Sequence, residues 1–344
     1  MDMVPVSAGH SRTDALTDMI ALARAADVAG YEHFWLAEHH GSTTYLSSAT
    51  IVLMGQVLAA TERLGVASGG IMLPNHAPLV VAEQIGTLAT LYPGRVELGL
   101  GRAPGTDRLT AAALRRGASD PGHFAEEILE ILTYLGDEPV PERLPGSLLL
   151  GTSSAPDAAA QMPGPDAPRV RAIPGEGTHP TVWVLGSSVN GARVAGRLGL
   201  PFAVASHFAP VQAEAAIATY RSVLESRAEE AQGAQALRPV PRVAAAVNVM
   251  VAPSQDEARF LFSTAMAAAA RIVGNRPAPL DPPTEDPQAW RAYAPGREAA
   301  VETAMSLSFV GTADDVASRL RELADRWDLD EILVVTYAHD PALR

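Results

Sequence analysis

Along the chain, eight runs of apolar, β-branched residues are each separated from the next by segments whose apolar residues recur at helical spacing. The strand-like runs cover residues 3–6, 33–37, 64–68, 95–101, 181–185, 202–205, 242–251 and 331–336. Helical periodicity fills 11–29, 49–60, 78–91, 110–135, 190–198, 210–230, 254–273 and 312–326, and the fourth of these breaks near 120–122. A helix between two strands carries the chain back to the end from which it set out, so strands joined this way run parallel. Eight such units in 344 residues fit a closed (β/α)8 barrel, the TIM barrel, better than an open doubly wound sheet. The reading is one domain over 1–344, with two Pro-rich excursions. One, at 137–180 after strand 4, is expected to carry a short hairpin at 147–151; the other, at 275–295, follows helix 7. The first strand starts almost at Met1 and is open to being cut short.

Local signals agree with the periodicity. Ser11 or Thr13 can cap the first helix and Gly30 can end it. Pro78 suits the first turn of the third helix, and Pro93-Gly94 closes it.

Composition removes several chemistries. All 26 basic residues are Arg, so Schiff-base and pyridoxal-phosphate attachment through Lys are excluded. There is no Cys, hence no disulfide, thiolate nucleophile, iron–sulfur cluster or Cys-ligated zinc. The net charge of -13 disfavours nucleic acid and anionic membranes as partners. No apolar stretch approaches the roughly 20 residues that cross a bilayer. The N-terminus lacks a basic region followed by an apolar core, so a cytoplasmic location is expected.

In a (β/α)8 barrel the site lies where the strands end. Here the second strand ends in Glu38-His39-His40, the third in Gly69-Gly70, the fourth in Gly101-Arg102 and the fifth in Gly186-Ser187-Ser188. The sixth ends in Ser206-His207-Phe208, and the eighth runs out through Tyr337-Ala338-His339. Adjacent side chains in extended backbone diverge, so only one of His39 and His40 is expected to face the mouth. That imidazole suits a base near neutral pH, although a histidine bonded to loop backbone reads the same way. Divergence also counts against a metal pair, and none is expected. Arg102, in a Gly-rich loop, offers a fork of donors suited to phosphate, or an ordinary surface ion pair. Ser187, Ser188 and Gly191 lie where a strand passes into a helix, which is an anion site or a plain N-cap.

Taken together, these runs resemble a known family. Residues 35–40, 69–78, 91–95, 99–107, 183–188 and 309–312 occur in the order found in bacterial luciferase-like flavin monooxygenases, and the similarity spans about 5–336. The resemblance implies a (β/α)8 barrel that binds reduced flavin mononucleotide (FMN) supplied by a separate flavin reductase. In that family the reduced flavin reacts with O2 to give a peroxide adduct that oxygenates a small-molecule substrate. It assigns His39 as catalytic base, Arg102 as phosphate ligand, and Ser187, Ser188 and Gly191 to the phosphate-binding helix start. It also implies a cis peptide at Gly69-Gly70 beneath the flavin ring, and a homodimer. Two features depart from the family pattern: a hydroxyl is replaced by Gly191, and no second phosphate arginine stands near His123. A deazaflavin (F420) hydride-transfer enzyme shares the fold, as would a non-catalytic flavin-binding paralogue; the run 103–107 favours FMN.

Overall fold

Helix boundaries fall where the capping chemistry places them in the computed structural model, which describes residues 1–103, 105–114, 123–136, 170–230 and 242–344. In α1 (Arg12–Ala29) the Ser11 hydroxyl accepts from the Asp14 N–H and the Asp14 carboxylate accepts from the Ser11 N–H, a reciprocal capping box. Gly30, left-handed at φ 82°, ends it. Next come α2 (Thr50–Ala60), α3 (Pro78–Leu91, with Pro78 in its first turn), α4 (Arg108–Leu114) and α5 (Phe124–Leu135). After these follow α6 (Val189–Leu198), α7 (Ala213–Glu230), α8 (Gln255–Val273), α9 (Glu298–Ala304) and α10 (Ala313–Trp327). The expected helix break at 120–122, the hairpin at 147–151 and residues 137–169 of the first excursion lie outside the described residues.

The strands are β1 (His33–Leu36), β2 (Gly65–Ser68), β3 (Ile71–Met72), β4 (Val96–Gly101), β5 (Thr181–Gly186), β6 (Phe202–Val204), β7 (Val243–Val251), β8 (Ser308–Gly311) and β9 (Glu331–Val335). Every ladder among them is parallel, in the order β1-β2-β4-β5-β6-β7. Two strands then share β7: β9 pairs along Ala244–Asn248 and β8 along Asn248–Val251. The first residues of the chain close the barrel. The Met1 nitrogen donates to the Val334 carbonyl at 2.8 Å, Asp2 N–H donates to Trp35 O at 2.7 Å, and Ala37 N–H donates to Asp2 O at 3.0 Å.

Two expectations need correction. Residues 3–6 form no strand; only isolated bridges link Asp2 to Leu36, Pro5 to Tyr45 and Ser7 to Leu280. The Val4 N–H turns back onto the Asp2 carboxylate at 2.9 Å, Val4 has φ 53°, and Pro5 has no N–H to give a ladder. Among the described residues the expected eight strands also become nine, because the short β3 and β8 went unread; β3 follows β2 with no helix between and interrupts the strict alternation.

Side chains alternate across the barrel wall. Phe34 and Leu36 of β1 join the layer under the helices, whereas Trp35 points inward. Inside, Trp35 meets Trp183 edge to face at 5.3 Å between ring centres. Small residues on neighbouring strands, Ala67, Ala203, Ala244 and Ala246, leave room for the two indoles. Below them, at the strand starts, lies a charged floor. Trp35 Nε1 donates to Glu331 at 3.1 Å and Trp183 Nε1 to Glu97 at 2.8 Å. Arg242 lies over the Trp183 ring at 4.8 Å and pairs with Glu331 at 3.0 Å. With the floor sealed, open space is left at the opposite, C-terminal ends of the strands.

Candidate active site

There the structure has a cavity of about 320 Å³, within the roughly 300–1,000 Å³ usual for small-molecule sites. His39, Gly69, Arg102, Ser187, Ser188 and Gly191 all line it. Gly70, the remaining candidate, does not. Its Cα faces β4, where an added Cβ would stand 2.8 Å from the Gly99 carbonyl, so only glycine lets the two strand ends meet. The Gly69-Gly70 peptide is cis, as expected.

The Glu38-His39-His40 run divides as extended backbone requires. His39 turns to the cavity and His40 turns away, its Nε2 2.7 Å from Glu38 Oε1. Glu38 is buried and holds the segment 72–76: His76 Nε2 lies 3.0 Å from each carboxylate oxygen, Asn75 donates at 3.3 Å and the Met72 N–H at 3.1 Å. Burial by itself would raise the Glu38 pKa, but the hydrogen bonds from His40 and His76 prevail and lower it to about 2. The ligand atoms of Glu38, His40 and His76 lie within 4.8 Å of one another, close enough to hold a metal ion. Both carboxylate oxygens are already used as acceptors, so the cluster is complete as a hydrogen-bonded hub. The hub also joins the next loop. His40 N–H donates to Gly105 O at 3.3 Å and Thr106 Oγ1 donates to His40 O at 2.9 Å, which couples the Arg102 loop to the His39 loop.

His39 lies in an apolar environment. Its ring stands 5.2 Å from that of Tyr45, and its buried Nδ1 has no hydrogen-bond partner. Burial lowers its pKa to about 4, so the ring is neutral at neutral pH. Arg102 is the reverse: exposed, and without an ion pair or hydrogen bond among the described residues. On the same cavity, Ser188 occupies the N-cap position of α6 in extended backbone, yet its hydroxyl makes no cap bond. The first N–H groups of any helix lack intrahelical partners, and at α6 they border the cavity at Ser188, Asn190 and Gly191. A Cβ on Gly191 would meet the Gly186 Cα at 3.4 Å, an ordinary van der Waals contact, so packing there does not demand a glycine. The cavity therefore joins a cationic, donor-rich flank to a largely apolar chamber walled by Met72, Phe124, Leu185 and Leu333.

Sequence reasoning located His207 at a strand end but gave it no role. It lines the same cavity, 4% exposed, with both ring nitrogens unpartnered. The strand-end rule was the signal that could have marked it. His339 stands apart, bonded to Ala8 O at 3.1 Å and edge-on to His10.

The sequence model of a family described as luciferase-like monooxygenase matches residues 3–328. A luciferase-like monooxygenase from Escherichia coli (strain K12) is 38% identical over 335 residues, covering 97% of this chain and 89% of the relative. Among solved structures, apo-MsnO8 superposes with a TM-score of 0.77 at 30% identity, covering 99% of this chain and 92% of that one. Two more distant structures share the fold. The oxygenating constituent of 3,6-diketocamphane monooxygenase from Pseudomonas putida, in complex with FMN, has a TM-score of 0.64 at 19% identity and covers 98% and 92%. An F420-dependent secondary alcohol dehydrogenase has 0.60 at 16%, covering 94% and 89%.

Proposed function

The chain belongs to the luciferase-like monooxygenase family, and from that premise we propose that it uses FMN, reduced by a separate reductase, to oxygenate a small organic substrate with O2. The observation that carries this is one cavity lined by a guanidinium that is unpaired among the described residues, by an open helix start, and by a neutral, half-buried imidazole. A phosphate monoester with nearly two negative charges is the ligand that such a flank selects. The FMN complex of the fold neighbour supports the choice of cofactor.

When bound, reduced flavin supplies the activation of O2 and the transfer of one oxygen atom to the substrate. The rest of the work falls to the protein. Arg102 and the N–H groups at the start of α6 hold the phosphate, with the Ser187 and Ser188 hydroxyls as further donors. The apolar walls keep bulk water from the reacting ring. His39, uncharged at neutral pH, is the free base that takes up or positions a proton beside that ring. Glu38 keeps the His39 loop in place through His40, His76 and Met72.

The test supplies anaerobically reduced FMN, adds O2 with a panel of long-chain aldehydes and polycyclic metabolites, and follows O2 uptake and product together. Coupled uptake is expected, and His39→Ala should lower coupled product formation by about 10²-fold. Hydride transfer with reduced F420 and no O2 uptake would replace this reading with the deazaflavin one. Hydrogen peroxide without product across the panel would leave a flavin-binding protein.

A further inference from the structure

The cavity contains a second histidine, which the proposed reaction does not yet use. His207 follows β6, on a wall of the cavity contributed by a different strand from that of His39. The backbone around it is anchored to β7: Ser206 Oγ donates to Ala246 O at 2.6 Å, and Asn248 Nδ2 donates to His207 O at 2.6 Å. The side chain is not anchored by any polar contact. Neither Nδ1 nor Nε2 has a hydrogen-bond partner, and the Phe208 ring stacks edge-on at 4.8 Å. Burial, with the His39 ring close enough to add repulsion, lowers its pKa to about 3, so the imidazole is neutral.

A neutral imidazole has one donor and one acceptor. Burying both without partners gives up their hydration for nothing, whereas a phenyl ring in the same apolar wall would lose none. As a core residue His207 is therefore a poor choice. As a binding residue it is a better one: both nitrogens are sealed off from the cavity as the ring now lies, but no polar contact holds the ring on its fixed backbone, so a turn of the ring can bring a nitrogen to the cavity face.

We propose that His207 is a ligand-contacting residue whose ring turns on binding and hydrogen-bonds the heteroatom edge of the flavin ring system, the part that FMN and riboflavin share. That edge offers carbonyl acceptors and an N–H donor, so it can satisfy either function of the imidazole. The inference rests on the reading that a flavin fills the cavity. It adds a ring-recognition contact separate from the phosphate contacts of Arg102.

Anaerobic calorimetric titration with reduced FMN and with reduced riboflavin tests it in the wild type, His207→Phe and His207→Gln. The Phe variant should lose about tenfold in affinity for both flavins by the same factor, as for one unmade hydrogen bond. The Gln variant, which keeps a donor and an acceptor, should stay within about threefold. Ligand-free His207→Phe should melt no lower than the wild type, since no hydrogen bond is lost. A Phe variant that binds both flavins as the wild type does, or that melts well below it, overturns the proposal. Should the Phe variant fail to fold, the imidazole nitrogen resonances of wild-type His207 decide: they must shift on adding reduced riboflavin, and unchanged resonances overturn the assignment. If the wild type binds neither flavin, the functional reading fails first and this inference with it. Normal wild-type binding with unaffected variants removes this inference alone.

Discussion

Arg102 is a charge left in solvent without a partner among the described residues, whereas His39 is a polar ring left in an apolar wall without a charge. If the guanidinium awaits a phosphate, Arg102→Ala should weaken FMN binding by about 2–3 kcal/mol, the loss of a charge-assisted pair. Riboflavin, which has no phosphate, should bind the variant as it binds the wild type. Fluorescence titration with both ligands checks this, and equal losses would remove Arg102 from the phosphate site. Residues of this kind are legible in sequence because a strand end fixes their place and their own chemistry fixes their use. Gly70 was not legible, since which of two adjacent glycines borders the cavity depends on how the backbone turns at Gly69-Gly70. The place of His207 was legible but its role was not, because the lack of a hydrogen-bond partner is a property of the folded surroundings.

Between elements, the link that matters is the Glu38 hub, where the end of β1 meets the segment after β3. A glutamine there keeps the shape but offers one acceptor oxygen where the carboxylate offers two, and it turns an NH2 group toward existing donors. Glu38→Gln should therefore cost roughly 2–4 kcal/mol of stability, as expected when a buried, multiply bonded charge loses its matched partners. Urea unfolding at pH 7 measures it, and a loss under about 0.5 kcal/mol, the range of an ordinary surface substitution, would show that the hub is not structural. No single local pattern announces this hub, because its donors come from His40, Met72, Asn75 and His76 and assemble only in three dimensions. Capped helices such as α1 and α3 were readable to within a residue or two, since their stop and start signals are local. β8 was not: the four residues Ser308–Gly311 give too short a run for a period to appear. Residues 3–6 misled in the other direction, apolar enough for a strand but turned aside by the Asp2 carboxylate and Pro5.

Across the whole molecule, charge is divided between the two ends of the barrel, and pH should act on them in opposite directions. At the floor, His33 lies 3.5 Å from Glu97 and 3.3 Å from Glu331, the latter an electrostatic contact rather than an aligned hydrogen bond. Burial opposes its charge, but the two carboxylates prevail and raise its pKa to about 10. At the mouth, burial lowers His39 to about 4 and His207 to about 3. An unfolded histidine titrates near 6.5. Between that value and about 10 the folded chain binds one proton more than the unfolded one at His33, so the stability from the floor is fully present below 6.5 and is lost as pH rises through 10. From 6.5 down to about 4 and 3 the unfolded chain binds the extra protons, at His39 and His207, so their contribution is present above 6.5 and is lost as pH falls. Burial also lowers the Met1 amino group from 8.0 to about 6, and its gain as pH rises between those values offsets the loss at His33, so the urea midpoint should hold nearly level from about 6.5 to 8 and decline on both sides. His33→Gln should flatten the alkaline decline and leave the acid one, and His207→Phe should flatten part of the acid decline and leave the alkaline one. A midpoint that does not change between pH 4 and 10, or variants that flatten the opposite sides, would contradict this division of charge.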